Sequence, residues 1–262
     1  FQRLLRDAAA AGRPLVLAPG RYRVADIVLA PGTRIVGVTG ATVLAFAGGS
    51  LLASATDAGR IELRGLVFDG RGLPLADYAP ALIHLAGVRQ AIIADCGILG
   101  SSKAGLALDR SGGRVERSAI SGAAGAGIRA IESTGLAVSA NALADCGAGI
   151  VVWRWRAGPD GTTVTGNRIA RIGFQPLAEP TEPPDGINVF RAHGVTVEGN
   201  RILDCAGAGI RALDADGIRA IGNDCRDAAE GAVMIAEGTP GAVVAGNAGD
   251  TAAGSMRMVG TE

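Results

Sequence analysis

The sequence predicts an all-β fold: a right-handed, single-stranded parallel β-helix with three short strands per turn and an N-terminal capping helix. Three observations carry this. First, a phrase whose clearest copy is Gly186-Ile187-Asn188-Val189 recurs, with its opening glycine at Gly105, Gly127, Gly149, Gly186, Gly209, Gly231 and Gly254. The steps are 22, 22, 37, 23, 22 and 23 residues, a fixed period near 22 with one insertion of about fifteen. Second, each period holds short apolar alternations (Ile128 and Ala130, Ile150 and Val152, Ile187 and Val189, Ile210 and Ala212) and no long 3.6-residue pattern. That excludes helical solenoids. The frame of a leucine-rich repeat is absent, and a propeller blade needs about forty residues. Third, Asn141, Asn167, Asn200, Asn223 and Asn247 each follow a small apolar residue by three positions, and Cys96 and Ser118 hold the same slot earlier.

The asparagines admit two readings. Asn tolerates the left-handed backbone of a sharp bend, and stacked amides hydrogen-bond from layer to layer. Asn-containing turns are also common in isolation. Recurrence in one register favours the stacked column.

Residues 1–14 read as the capping helix and 15–262 as the coil. Phe1, Leu4, Leu5 and Ala8 stand at helical spacing, and Gly12-Arg13-Pro14 stop the pattern. A helix there covers the open core and the sheet edge that a terminal turn leaves. Leu15-Val16-Leu17, Val24 to Leu29 and Arg34 to Val38, punctuated by Pro19-Gly20 and Pro31-Gly32, form the first irregular turns. Loop excursions are expected near 71–80 and, rich in proline, at 173–185. The chain opens at Phe1 without an initiator methionine, so a preceding signal segment is unobservable rather than absent. It ends within what reads as another turn, with the expectation that the polypeptide continues or that this end pairs with a second copy.

Composition fits a narrow core. Glycine is abundant (41 residues), aromatics are scarce, and small and β-branched residues suit the space. Lys plus Arg balance Asp plus Glu at 25 each, without a basic cluster, which argues against nucleic acid as a partner. No 18-residue apolar run exists to insert in a membrane. The four cysteines read as buried free thiols. Cys146 and Cys205 share a position but lie two layers apart, roughly 9.6 Å at strand spacing, too far for a disulfide. Cys225 takes the slot of Ile202, and no Cys-x-x-Cys pair suggests a metal. No cofactor is expected.

The phrases Arg13-Pro14-Leu15-Val16-Leu17-Ala18-Pro19-Gly20-Arg21-Tyr22, Ile150-Val151-Val152-Trp153-Arg154 and Gly186-Ile187-Asn188-Val189-Phe190-Arg191-Ala192 carry a resemblance. Together they resemble the twin-arginine-translocated parallel β-helix repeat family of bacterial proteins, within the pectin-lyase-like superfamily. The resemblance covers most of the chain. It implies export in a folded state to the periplasm or beyond, and it implies no particular activity.

In such a coil, outward side chains form ladders. The second position after the motif glycine places Ala107, Arg129, Val151, Asn188, Arg211 and Val233 on one ladder, with His84 before them. The residue before the glycine gives Ala104, Ala126, Ala148, Asp185, Ala208 and Glu230. This face is read as a polysaccharide groove, with Asp185 and Glu230 as acid and base. Arg129, Asn188, Arg191, Arg211, Asp214 and Trp153 are the binding residues. The competing reading is a solvated face with cross-layer ion pairs such as Asp214 with Arg191. His84 and His193 read as surface or turn residues. Ile131, Trp153, Phe190, Leu213 and Ile235 align one further column, either turned into the core or forming an apolar stripe. Trp155 and Arg156 find no place in this scheme. Three classes follow: an exported lyase, epimerase or hydrolase; a glycan-binding module; and a scaffold that self-associates end to end through its C-terminal turn.

Overall fold

The computed structural model describes residues 1–173, 182–236 and 239–249, together with the backbone strand Met256–Val259. Among these residues the chain is a right-handed parallel β-helix of three sheets, each of ten strands, to which every turn adds one strand apiece. All strand pairs are parallel; the first sheet runs from Leu15–Val16 to Val243–Ala245, the second from Gly20–Val24 to Ala248–Gly249, and the third from Ile27–Val28 to Met256–Val259. Parallel strands need a crossover, and here the other two sheets supply it.

The asparagine column forms. Asn141, Asn167 and Asn200 each donate Nδ2 to the Oδ1 of the next asparagine at 2.9–3.0 Å, and Asn223 does the same to Asn247 at 2.8 Å. Each Nδ2 also reaches a carbonyl one layer back, as from Asn200 to Val164. The column begins where Cys96 N donates to Ser118 Oγ and Ser118 N to Asn141 Oδ1. One expectation is corrected. The left-handed residue at this corner is not the asparagine but its predecessor: Asp95, Arg117, Ala140, Gly166, Gly199, Gly222 and Gly246 all have φ between 47° and 63°. The asparagine itself turns inward, buried at Asn141, Asn167, Asn200 and Asn223 and partly buried at Asn247.

The motif glycines answer a different demand. None of Gly105, Gly127, Gly149, Gly186 and Gly209 is left-handed; each lacks room. A Cβ on Gly149 would stand 2.1 Å from Gly186 O, and one on Gly186 would stand 2.5 Å from an Ile202 methyl. Here the third sheet begins, and its backbone presses on the side chains of the second. The register corrects the sixth copy of the phrase. Gly231 pairs with Ala208, so Ala232 takes the glycine slot, Val233 faces the core, and Met234 rather than Val233 stands outward opposite Arg211. Gly254 lies outside the described residues, as does most of the C-terminal turn on which self-association was expected.

The helix Gln2–Ala10 caps the first turn. Leu5 is buried and Phe1 packs on the core, whereas Leu4 is 62% exposed and takes no part. Gln2 pairs with the strand edge, Nε2 donating to Val28 O at 2.6 Å and Oε1 accepting from Val28 N at 3.0 Å. This occupies an otherwise open edge. Residues 71–80 leave the coil without a strand and return over it, with Leu75 and Ala79 buried and Lys103 Nζ donating to the carbonyls of Ala76 and Asp77. Most of the second expected excursion, residues 174–181, lies outside the described residues.

All four cysteines are free and buried. Cys146 and Cys205 both pair with Ile172, one layer either side, and Cys225 pairs with Ile202. Burial pushes the thiols of Cys205 and Cys225 up to about 12 and those of Cys96 and Cys146 to about 11.

Two outcomes are expected. Asn200→Ala removes the acceptor of Asn167 N and Nδ2 and the donor to Val164 O; denaturant unfolding is expected to show a loss of at least about 2 kcal/mol, with Asn200→Ser losing less because Ser118 already serves this slot. An aromatic disulfide reagent at about pH 8 is expected to label no thiol in the folded protein and all four after unfolding, since the thiolate is the reactive form.

Candidate functional site

The outer face of the third sheet carries three parallel columns. The middle one runs Ser54, His84, Ala107, Arg129, Val151, Asn188, Arg211 and Met234, in register from layer to layer. One flank holds Ala81, Ala104, Ala126, Ala148, Asp185, Ala208 and Gly231. The other holds Asp109, Ile131, Trp153, Phe190 and Leu213.

Five of the eight expected site residues join one hydrogen-bonded chain. Trp153 Nε1 donates to Asn188 Oδ1 at 2.6 Å, and Asn188 Nδ2 donates to Asp185 Oδ2 at 2.6 Å. Arg211 grips both oxygens of Asp185, Nε to Oδ2 at 2.8 Å and Nη2 to Oδ1 at 3.1 Å, and the same Nη2 reaches Glu230 Oε2 at 2.6 Å. Ala208 N completes the shell of Asp185, donating to Oδ1 at 2.7 Å. Asp185 is thus fully buried and accepts four hydrogen bonds, the geometry that makes a buried carboxylate tolerable. Glu230 is half exposed at 51%. The hydrogen bonds that Arg211 donates to Asp185, and then to Glu230, hold its guanidinium more firmly charged than usual against the opposing effect of burial. Glu230 stands one residue before the strand residue opposite Ala208, so its link to Asp185 runs through Arg211 rather than along a common column.

The remaining three expected residues flank this chain. Arg191 lies 3.5 Å from Asp214 and stacks its guanidinium over the Phe190 ring at 4.6 Å. Phe190 meets Trp153 edge to face, ring centroids 6.2 Å apart. Arg129 lies 3.5 Å from Glu182 Oε1. The stripe of the fourth position is therefore outward. Trp153, Phe190 and Leu213 are half buried on the surface, while Ile235, paired with Ala212, drops out of it into the core.

Two features were missed by the sequence reading. The outward alanines are not solvated: Ala81, Ala104, Ala107, Ala126, Ala148 and Val151 form a buried apolar cluster apart from the core, with Trp153 against it. His84 stands outward on the ladder as expected, but its partner was not foreseen: its Nε2 lies 2.8 Å from Asp109 Oδ2 on the same face. Alternation alone marks these positions as outward but says nothing of what covers them. Among the described residues no group of three His, Cys, Asp or Glu side chains is arranged to hold a metal, and no helix is long and apolar enough to cross a membrane.

Replacing Asp185 by Ala is expected to cost about 3–5 kcal/mol in denaturant unfolding, since it leaves the Ala208 amide without its acceptor and the largely buried guanidinium with Glu230 as its one remaining carboxylate. Adding Arg211→Ala is expected to recover part of that loss, giving a coupling energy that a double-mutant cycle reads directly.

No curated protein matches the sequence. Among solved structures, tailspike protein 2 of Escherichia coli O157:H7 bacteriophage CAB120 superposes with TM-score 0.69 at 15% identity, covering 94% of this chain and 36% of that one. The enzymatically active domain of bacteriophage CBA120 tailspike protein 2 gives 0.66 at 15%, covering 94% and 40%. ORF18 of Geobacillus virus E2 gives 0.57 at 11%, covering 90% and 52%. The chain thus spans roughly a third to a half of the length of these proteins, and at such identities the likeness is one of fold. Residues 81–251 match the family described as right handed beta helix region, and the chain belongs to that family.

Proposed function

We propose that this chain is an exported β-helix that binds a neutral polysaccharide on the outer face of its third sheet, between Arg129 and Glu230. The observation that carries this is the chain Trp153–Asn188–Asp185–Arg211–Glu230, which runs beside the Trp153 and Phe190 rings. It offers what a sugar needs: Arg211 and Glu230, held from beneath by the buried Asp185 and Asn188, for hydroxyls, next to apolar rings for the C–H faces. Neutrality follows from the pairing. Arg129, Arg154, Arg191 and Arg211 each face a carboxylate, and Arg211 faces two, so the charge of these four guanidiniums is already matched within the protein.

Binding is preferred to processing. Asp185, expected as an acid or base, has its lone pairs committed to four donors; its role in this proposal is to position Arg211 and Asn188. Glu230, half exposed, stays open to ligand, but the partner carboxylate that paired hydrolysis would take from Asp185 is committed elsewhere. The fold is one that the enzymatically active domain of a phage tailspike also uses. Export in a folded state, to the periplasm or outside the cell, suits the thiols: all four are buried before they would meet an oxidising compartment.

A glycan array carrying neutral and uronate-containing polymers tests the proposal. Neutral glycans are expected to bind more tightly than uronates, and Glu230→Gln is expected to weaken binding about tenfold, the worth of one charge-assisted hydrogen bond. A wild-type protein that binds none of them leaves the scaffold class standing and removes this one.

A further inference from the structure

Trp155 is one of two tryptophans in the chain, and it is 67% exposed. A lone exposed apolar residue is ordinary; the way this one is held is not. Trp153 pairs with Phe190, and the next paired residues are Gly158 and Ala192, five positions on against two. Residues 154–157 therefore bulge from the sheet edge, a device that re-aims side chains.

The bulge is pinned from both sides. From the layer below, Glu132 Oε1 accepts from Trp155 N, while Glu132 Oε2 takes Arg154 Nη2 at 3.1 Å. From the layer above, Arg191 Nη1 donates to Trp155 O at 2.9 Å. Arg191 is itself steadied by Asp214 and the Phe190 ring. Both polar backbone groups of Trp155 are thus committed to charged side chains of neighbouring layers, and the indole is the part left outside. Its exposure cannot be charged to a loose loop. The structure forgoes burying its largest side chain and fixes the backbone that presents it.

We propose that Trp155 is a stacking subsite for one pyranose ring of the same neutral glycan, which thereby extends past the sheet edge. This rests on the binding face proposed above. Arg191 touches both the Phe190 ring and the Trp155 backbone, so the two aromatic positions are joined through one side chain. A ligand that places one ring on each position is an oligosaccharide rather than a single sugar. The face of an indole covers the C–H face of a pyranose, while the ring hydroxyls stay in water. A held platform gives up little conformational freedom on binding.

Native gels cast with dissolved dextran, glycogen or galactomannan test the assignment, using wild type, Trp155→Ala, Trp155→Phe and Glu230→Gln. In a polymer that retards the wild type, Trp155→Ala is expected to bind about tenfold more weakly, the worth of one large apolar contact. Trp155→Phe, which keeps a ring, is expected to recover most of the retardation, and neither variant to change the melting temperature. Retardation of Trp155→Ala equal to wild type, with Glu230→Gln impaired, overturns the subsite and leaves the groove. A wild type retarded by no polymer overturns both.

Discussion

Each layer of this molecule must lie on the last at strand spacing, in the same direction, and that one constraint reaches every residue type in the repeat. A corner buried in such a stack carries peptide groups that no solvent reaches, and an unpaired one is costly. The asparagine column answers this by letting a side chain serve as both donor and acceptor. Asn200 Oδ1 takes the backbone N–H and the amide of Asn167, and its Nδ2 serves Asn223 and Val164. Serine performs a shorter version at Ser118, and again at another corner, where Val88 N donates to Ser111 Oγ and Ser111 N to Ser133 Oγ.

The same constraint explains the surface charges. Sharp corners need left-handed residues, and where glycine is absent these are mostly Asp, Arg and Glu, with Ala140 as the exception. Because the corners stack, their side chains meet neighbours at strand spacing. Arg117 pairs twice with Asp95 and Arg171 twice with Asp145. Arg191 lies by Asp214. Exposed pairs contribute little individually. Their significance is positional: a corner ladder holds guanidiniums in fixed places, and Arg191 is thereby available to brace Trp155.

This also separates what the sequence discloses from what it hides. A period near 22, the asparagine slot and the placement of Cys146, Ile172, Cys205 and Cys225 are one-dimensional facts, since stacking turns sequence offset directly into spatial adjacency. The grouping of Asp185, Asn188, Arg211 and Glu230 was legible for the same reason. Three things were not. A one-residue slip at Gly231 changes which side chains face outward, and nothing nearby in the chain announces it. The saturation of Asp185 depends on rotamers and on the Ala208 amide, not on spacing. The burial of outward Ala107, Ala126 and Val151 depends on what lies over the sheet, which alternation does not record.

A stacked coil is a poor place to improvise a site, because any residue placed outward inherits the spacing of its layer. Recognition must then come either from residues on adjacent layers or from a local break in the ladder. Both occur on the third sheet, within two layers of each other. The chain from Trp153 to Glu230 uses the ladder as it stands, with strand spacing setting the reach of Arg211 between two carboxylates. The bulge at residues 154–157 breaks it, and the break is stabilised by borrowing Glu132 and Arg191 from the regular corner columns on either side. An irregularity held by the regular parts around it keeps the rigidity of the coil while escaping its geometry. That is why Trp155, the residue least explained by the repeat, is the one whose presentation the repeat most carefully supports.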